Sequence, residues 1–200
     1  MAAAQGREVS PDRIPLLVLG LGNVLCGDDG AGVCAVEHLT ARWNFPDGVR
    51  ILDGGTLGLS LLPYLRAADR AILVDAVLVD EPPGSIVRFD GEEVFAVAGA
   101  RMSCHQIGVA EVLECARLLG DLPETTLVGI AAQDVGAMAR PTRAVSDRID
   151  DLVACVVEEI RAMGFQAKPS GRQTEDSPHG GGVADPACDV PGRAGFRDRL

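Results

Sequence analysis

Aromatic side chains are scarce in this sequence: Phe, Trp and Tyr together make up 4% of its 200 residues. That scarcity argues against a surface on which bases or rings stack. It leaves core volume to Val, Leu, Ile and Ala, which suits an α/β layer fold. Basic residues are also short, with 18 Lys and Arg against 29 Asp and Glu, a net charge of −11. Such a chain repels nucleic acid and favours a cation or a basic peptide. No apolar run is long enough to cross a bilayer, so no membrane partner is expected. The first fifteen residues hold no signal-peptide core, which implies a cytoplasmic protein with reduced thiols. The six cysteines (Cys26, Cys34, Cys104, Cys115, Cys155 and Cys188) form no CxxC pair. A zinc ribbon or a thioredoxin-like site is therefore not expected, and most of the six read as small core residues. HExxH is absent, so the chain is not a zincin.

What is present fits one well-packed domain, with 47% hydrophobic residues. Residues 1–15 read as a flexible N-terminus and 16–167 as a single α/β domain. Short apolar runs bounded by Gly, Pro or Asp predict strands at Leu16–Gly20, Val49–Leu52, Ala71–Val74, Ser85–Phe89 and Thr126–Ala131. Helical spacing predicts helices over Gly30–Trp43, Leu59–Ala67, Ser103–Leu119 and Asp147–Met163. Ser103 and Gln106 have capping-box spacing, and Gly120 follows the last turn of that helix. From Lys168 onward the sequence is rich in Gly, Pro, Ser and charge, and 168–200 reads as a disordered tail. Strands alternating with helices imply a mostly parallel sheet covered on both faces, with ligands at the carboxyl edge of the strands.

Three aspartates fall at that edge. Asp29 follows the first strand across a loop, Asp53 follows the second, and Asp75 ends the third. Each has a structural alternative as a turn residue or helix cap, with even weight for Asp53, which precedes Gly-Gly-Thr. The alternative is weaker for Asp75, because a carboxylate between AILV and Ala-Val is costly unless paired or metal-bound. Asp28 and Asp29 are adjacent, so one can cap the following helix while the other faces the crevice. His105 would sit at the second position of the helix capped by Ser103. The helix N-terminus disfavours imidazolium there, which keeps the ring neutral and able to bind a metal. A surface histidine on a first turn is the ordinary alternative. His38, four residues after Cys34, reads as a helix-face residue, and Cys104 as a thiol beside the site. Two carboxylates and one imidazole suit a first-row divalent metal with positions left open. The loop GLGNVLCGDDGAG offers Gly20 and Gly22 as the start of GxGxxG. Leu25 replaces the third glycine, and two aspartates would repel a pyrophosphate.

Four ordered stretches carry a family resemblance. They are LGLGNVLCGDDGAGV (Leu19–Val33), ILDGGTLGLSLL (Ile51–Leu62), AILVDAV (Ala71–Val77) and SCHQIGVAEVL (Ser103–Leu113), with LVGIAAQD (Leu127–Asp134) as a fainter fifth. Together they resemble the hydrogenase maturation proteases, the endopeptidases of nickel–iron hydrogenase maturation. The resemblance implies a three-layer α/β/α fold around a five-stranded mixed, mostly parallel sheet whose fourth strand is antiparallel. It implies a metal-dependent endopeptidase that removes the C-terminal extension of the hydrogenase large-subunit precursor after nickel insertion. Asp29, Asp75 and His105 would then be both the catalytic and the metal-contacting residues. The nickel would arrive with the substrate. Asp53, Gly54, Gly55 and Thr56 match a segment that implies substrate recognition. Two alternatives stand beside this reading. A non-catalytic nickel-binding accessory protein would bind nickel without cleaving precursor, and a nucleotide-binding oxidoreductase would bind dinucleotides.

Overall fold

The computed structural model describes residues 13–99 and 108–170. Its centre is a five-stranded sheet in the order β3-β1-β4-β6-β5. The strands are β1 (Ile14–Leu21), β3 (Val49–Gly55), β4 (Ala68–Val77), β5 (Ile86–Asp90) and β6 (Glu124–Ala131). β1 pairs in parallel with β3 and β4, and β4 in parallel with β6. Only β5, the fourth of the five in chain order, runs antiparallel, against β6. The sheet is thus mixed and mostly parallel, as expected.

The inner strands are apolar because both of their faces are covered. Along β1, Leu16 and Val18 point into one core, and Leu17 and Leu19 into the other. β4 divides in the same way: Ile72, Val74 and Ala76 on one side, Ala71, Leu73 and Val77 on the other. The first core is closed by α1 (Ala31–Arg42) and α6 (Ile149–Ala162), through Val36, Leu39, Leu152, Val156 and Ile160. The second is closed by α2 (Leu62–Ala67), α3 (Glu92–Gly99) and α4 (Val109–Leu118), through Leu65, Val94, Val112 and Leu113. These are the three layers α/β/α.

Several boundaries differ from the sequence reading. α4 begins at Val109, with Gly108 in an extended conformation (φ −75°, ψ 176°) as its N-cap. Gly108 therefore interrupts the single helix expected from Ser103, and the capping pair Ser103 and Gln106 lies outside the described residues. β4 runs on to Val77, so Asp75 lies within a strand rather than after it. Asp53 likewise lies inside β3. These strands continue because their backbones still have partners: Asp75 pairs with Gly129 and Asp53 with Gly20. α3 is a helix that the sequence reading did not assign. At the two ends, Ile14 and Pro15 already belong to β1. Trp43–Asn44 (β2) and Lys168–Pro169 (β7) form a small antiparallel pair, continued by a hydrogen bond from Ser170 N–H to the Arg42 carbonyl. The rest of the expected flexible N-terminus and tail, residues 1–12 and 171–200, lies outside the described residues. α5 (Arg143–Ser146) is a single turn before α6. No helix among the described residues is long and apolar enough to cross a membrane.

Candidate active site

The chain leaves β1 on one face of the sheet through α1 to reach β3. It returns on the other face through α2 to reach β4, on the far side of β1. The carboxyl edge between β1 and β4 is therefore the topological switch point, where ligands settle in open α/β sheets. The loop that carries Asp29 leaves β1, and Asp75 belongs to β4, so the two carboxylates come from the two strands that flank this point.

Asp75 is 5% exposed. Strand alternation puts it on the face of Leu73 and Val77, the face covered by α2, α3 and α4. α4 leads directly into β6, which is parallel to β4, so its first turn lies at the same carboxyl edge. Asp29 is half-buried, and its Oδ2 accepts a 2.6 Å hydrogen bond from the Asn23 N–H. The loop closes tightly on itself here. Gly22 has φ +111°, and a Cβ at that position would lie 1.8 Å from the Asp29 carbonyl oxygen. Gly20 serves packing in the same way: its Cβ would lie 2.4 Å from Val36 Cγ2 and 2.5 Å from the Gly32 carbonyl. Both glycines that suggested a dinucleotide loop are thus required by contacts within the protein.

Asp28 does not cap α1. The N-cap there is Gly30, with no side-chain cap. Asp28 is fully buried and reaches instead to the segment after β6. Its carboxylate accepts backbone N–H groups from Gln133 (2.9 Å), Asp134 (3.0 Å) and Thr142 (2.7 Å), and the Thr142 hydroxyl at 3.0 Å. Burial by itself pushes this carboxyl up, but the donors from Asp134, Thr142 and Gln133 outweigh it and hold the carboxyl below its ordinary value. The Asp28 carboxylate is thereby consumed by the fold, which leaves Asp29 as the candidate of the pair. Sequence reasoning missed this role for Asp28, and missed Thr142 altogether. The partners are more than a hundred residues apart, and no local pattern marks them.

Asp53 and Thr56 are exposed on the neighbouring strand end, and Gly54 is buried against Leu21 and Leu61. Gly55 holds this end to the first loop by accepting the Gly22 N–H at 3.1 Å. His38 Nδ1 lies 3.3 Å from Asp150, which also accepts Arg42 at 2.7 Å, so this histidine belongs to the contact between α1 and α6. His105 and Cys104 lie outside the described residues. Among the described residues no three His, Cys, Asp or Glu side chains gather at one metal position. Of the predicted set, Asp29 and Asp75 lie among the described residues.

The profile of the hydrogenase maturation protease family matches residues 33–159. The hydrogenase 2 maturation protease of Escherichia coli is 37% identical over 156 residues, covering 77% of this chain and 95% of its own length. The hydrogenase expression/formation protein HupD of Rhodobacter capsulatus is 41% identical over 171 residues, covering 83% of this chain and 80% of HupD. Among solved structures, the E. coli hydrogenase maturating endopeptidase HybD superposes with a TM-score of 0.72 at 37% identity, over 78% of this chain and 97% of HybD. Fold and sequence agree, and the chain belongs to the hydrogenase maturation protease family, as an endopeptidase of the hydrolase class.

Proposed function

We propose that this endopeptidase removes the C-terminal extension of a nickel–iron hydrogenase large-subunit precursor in the cytoplasm, after nickel has been inserted into that precursor. Asp29, Asp75 and His105 contact the substrate-borne nickel. The observation that carries the reading is the placement of two carboxylates on either side of the β1/β4 switch point, one of them buried in β4. Carboxylates of this kind, joined by an imidazole, form a donor set for a first-row divalent ion. His105 belongs to the same reading, because it precedes Gly108 by three residues and α4 opens at this edge.

The chain's own residues supply orientation. The Asn23 N–H holds one oxygen of Asp29 with a 2.6 Å hydrogen bond. Asp75 is buried on the strand, between Leu73 and Val77 on the same face. The exposed carboxylate of Asp53 and the turn Gly54–Gly55–Thr56 form the rim over which a substrate segment would lie. A substrate-borne metal ion at such a site can polarise a carbonyl or activate a water. Attack of water on the scissile peptide carbon breaks the C–N bond, and the leaving amine takes up a proton.

Processing of a nickel-loaded precursor, followed as a shift in size, tests the proposal. Wild-type protein is expected to cleave it, and Asp75→Ala and His105→Ala are expected to abolish cleavage. Undiminished cleavage by either variant removes that residue from the site.

A further inference from the structure

The two residues of the Asp28–Asp29 pair do different work, and the structure shows how they are joined. Asp28 is fully buried and holds the segment Ala132–Thr142 with four hydrogen bonds from three residues. Backbone contacts run alongside this clamp: Asp28 N–H to the Asp134 carbonyl at 2.8 Å, Gly27 N–H to Ala139 at 3.2 Å, and Met138 N–H to Leu25 at 2.8 Å. Met138 keeps a positive φ of 60° in this arrangement, the only described non-glycine residue that does. Such a conformation persists where the surroundings over-determine it. The clamped loop carries Asp29 as its next residue. A loop cross-linked at one residue leaves the following residue few backbone options.

We infer that Asp28 is a positioning residue for the cleavage reaction: by locking the first loop to the segment that ends at Thr142, it sets the place of the Asp29 carboxylate. The inference rests on the proposed role of Asp29 in substrate contact. A merely structural role would predict that losing the clamp lowers stability and leaves the folded site as it was. A positioning role predicts that the site moves. The Asn23 N–H reports this directly, because it donates to Asp29 Oδ2 at 2.6 Å. A short bond to a carboxylate shifts such an amide proton strongly downfield.

The test compares the full-length protein with Asp28→Asn, Thr142→Val and Thr142→Ser. Two readouts are taken: the Asn23 amide resonance in metal-free protein, and kcat and KM on nickel-loaded precursor. In Asp28→Asn and Thr142→Val the Asn23 proton is expected to move upfield. Their kcat should fall, on the order of a hundredfold for Asp28→Asn, with KM changed much less. Thr142→Ser keeps the hydroxyl and is expected to restore both readouts. An unmoved Asn23 proton in folded variants overturns the inference, and so does a moved proton with unchanged kcat. Should Asp28→Asn fail to fold, Thr142→Val decides the matter, since it removes one donor and leaves the carboxylate with its backbone partners. Wild-type protein that does not cleave precursor overturns the functional reading instead. In that event the Asn23 shift still decides whether Asp28 places Asp29.

Discussion

Gly32 rests on the carbonyl oxygen of Val74: a Cβ on Gly32 would lie 2.1 Å from that oxygen and 2.5 Å from the carbonyl oxygen of Leu21. The first turn of α1 therefore sits directly on the backbones of β1 and β4, the two strands that frame the site. Asp75 follows Val74, and Asp29 precedes Gly32 by three residues. Neither contact can yield, because both are backbone atoms in a sheet. Gly32→Ala is expected to destabilise the protein by about 3 kcal/mol, read as a lower urea midpoint with an unchanged slope. The folded fraction is expected to cleave precursor more slowly, because lifting α1 separates the two carboxylates. An alanine variant of wild-type stability would show that α1 is not seated on the strands.

Stability at acid pH follows from Asp28. Its carboxyl is held below the ordinary value of 3.8 by the N–H donors of Asp134, Thr142 and Gln133 and by the Thr142 hydroxyl, which outweigh its burial. A depressed folded-state pKa stabilises the fold fully above the unfolded pKa, and that contribution is lost as pH falls through the folded value. Asp28→Asn is expected to cost about 2–4 kcal/mol at neutral pH, where the charged acceptor is replaced by an amide that also carries donors. The difference in Tm between wild type and variant should be constant from pH 7 to about pH 5 and should narrow below pH 4. A difference that widens on acidification would contradict the direction of the shift.

The sheet was legible in the sequence because its inner strands are buried on both faces and leave unbroken apolar runs. LLVLG and AILV each gave a strand, although the pairing partners carried β1 and β4 beyond those runs at both ends. α6 was legible because Leu152, Val153, Val156, Val157 and Ile160 recur at helical spacing against one core. α4 starts later than its sequence suggests, because the residue that opens it is an extended Gly108. α3 was missed because its run from Val94 to Gly99 has little of the polar contrast that marks an amphipathic helix. Asp75 could be singled out on local grounds, as a carboxylate in apolar surroundings. The division of roles between Asp28 and Asp29 could not, because what separates them is Thr142, 114 residues away.

The far end of the sheet offers a control. Arg88 on β5 reaches Glu159 on α6 at 2.7 Å and also pairs with Asp90. Asp90 in turn accepts the Thr126 hydroxyl at 2.7 Å. These contacts fasten the antiparallel edge strand to α6 and take no part in the β1/β4 edge. The Arg88 and Glu159 side chains are 31% and 16% exposed, so solvent weakens the pair. Arg88→Met is expected to cost about 1 kcal/mol and to leave kcat and KM on nickel-loaded precursor unchanged. A large loss of cleavage in this variant would mean that the site depends on the whole sheet rather than on its carboxyl edge.

Gly22 allows a sharper test of the edge itself. Its φ of +111° is one that side chains rarely adopt, and its Cβ would run into the Asp29 carbonyl oxygen at 1.8 Å. Alanine there must open the turn between β1 and the first loop. Two contacts hold that turn: Gly22 N–H to the Gly55 carbonyl at 3.1 Å, and Asn23 N–H to Asp29 Oδ2 at 2.6 Å. The first ties the loop to the Asp53–Thr56 rim and the second orients Asp29. Opening the turn loosens both, while the buried sheet beneath keeps its contacts. Gly22→Ala is therefore expected to cost a moderate amount of stability, about 1–3 kcal/mol, and to lower kcat/KM far more than Arg88→Met does. Comparing the two variants at equal folded fraction separates damage at the site from damage to the fold. Equal activities would refute the assignment of Asp29 to the site.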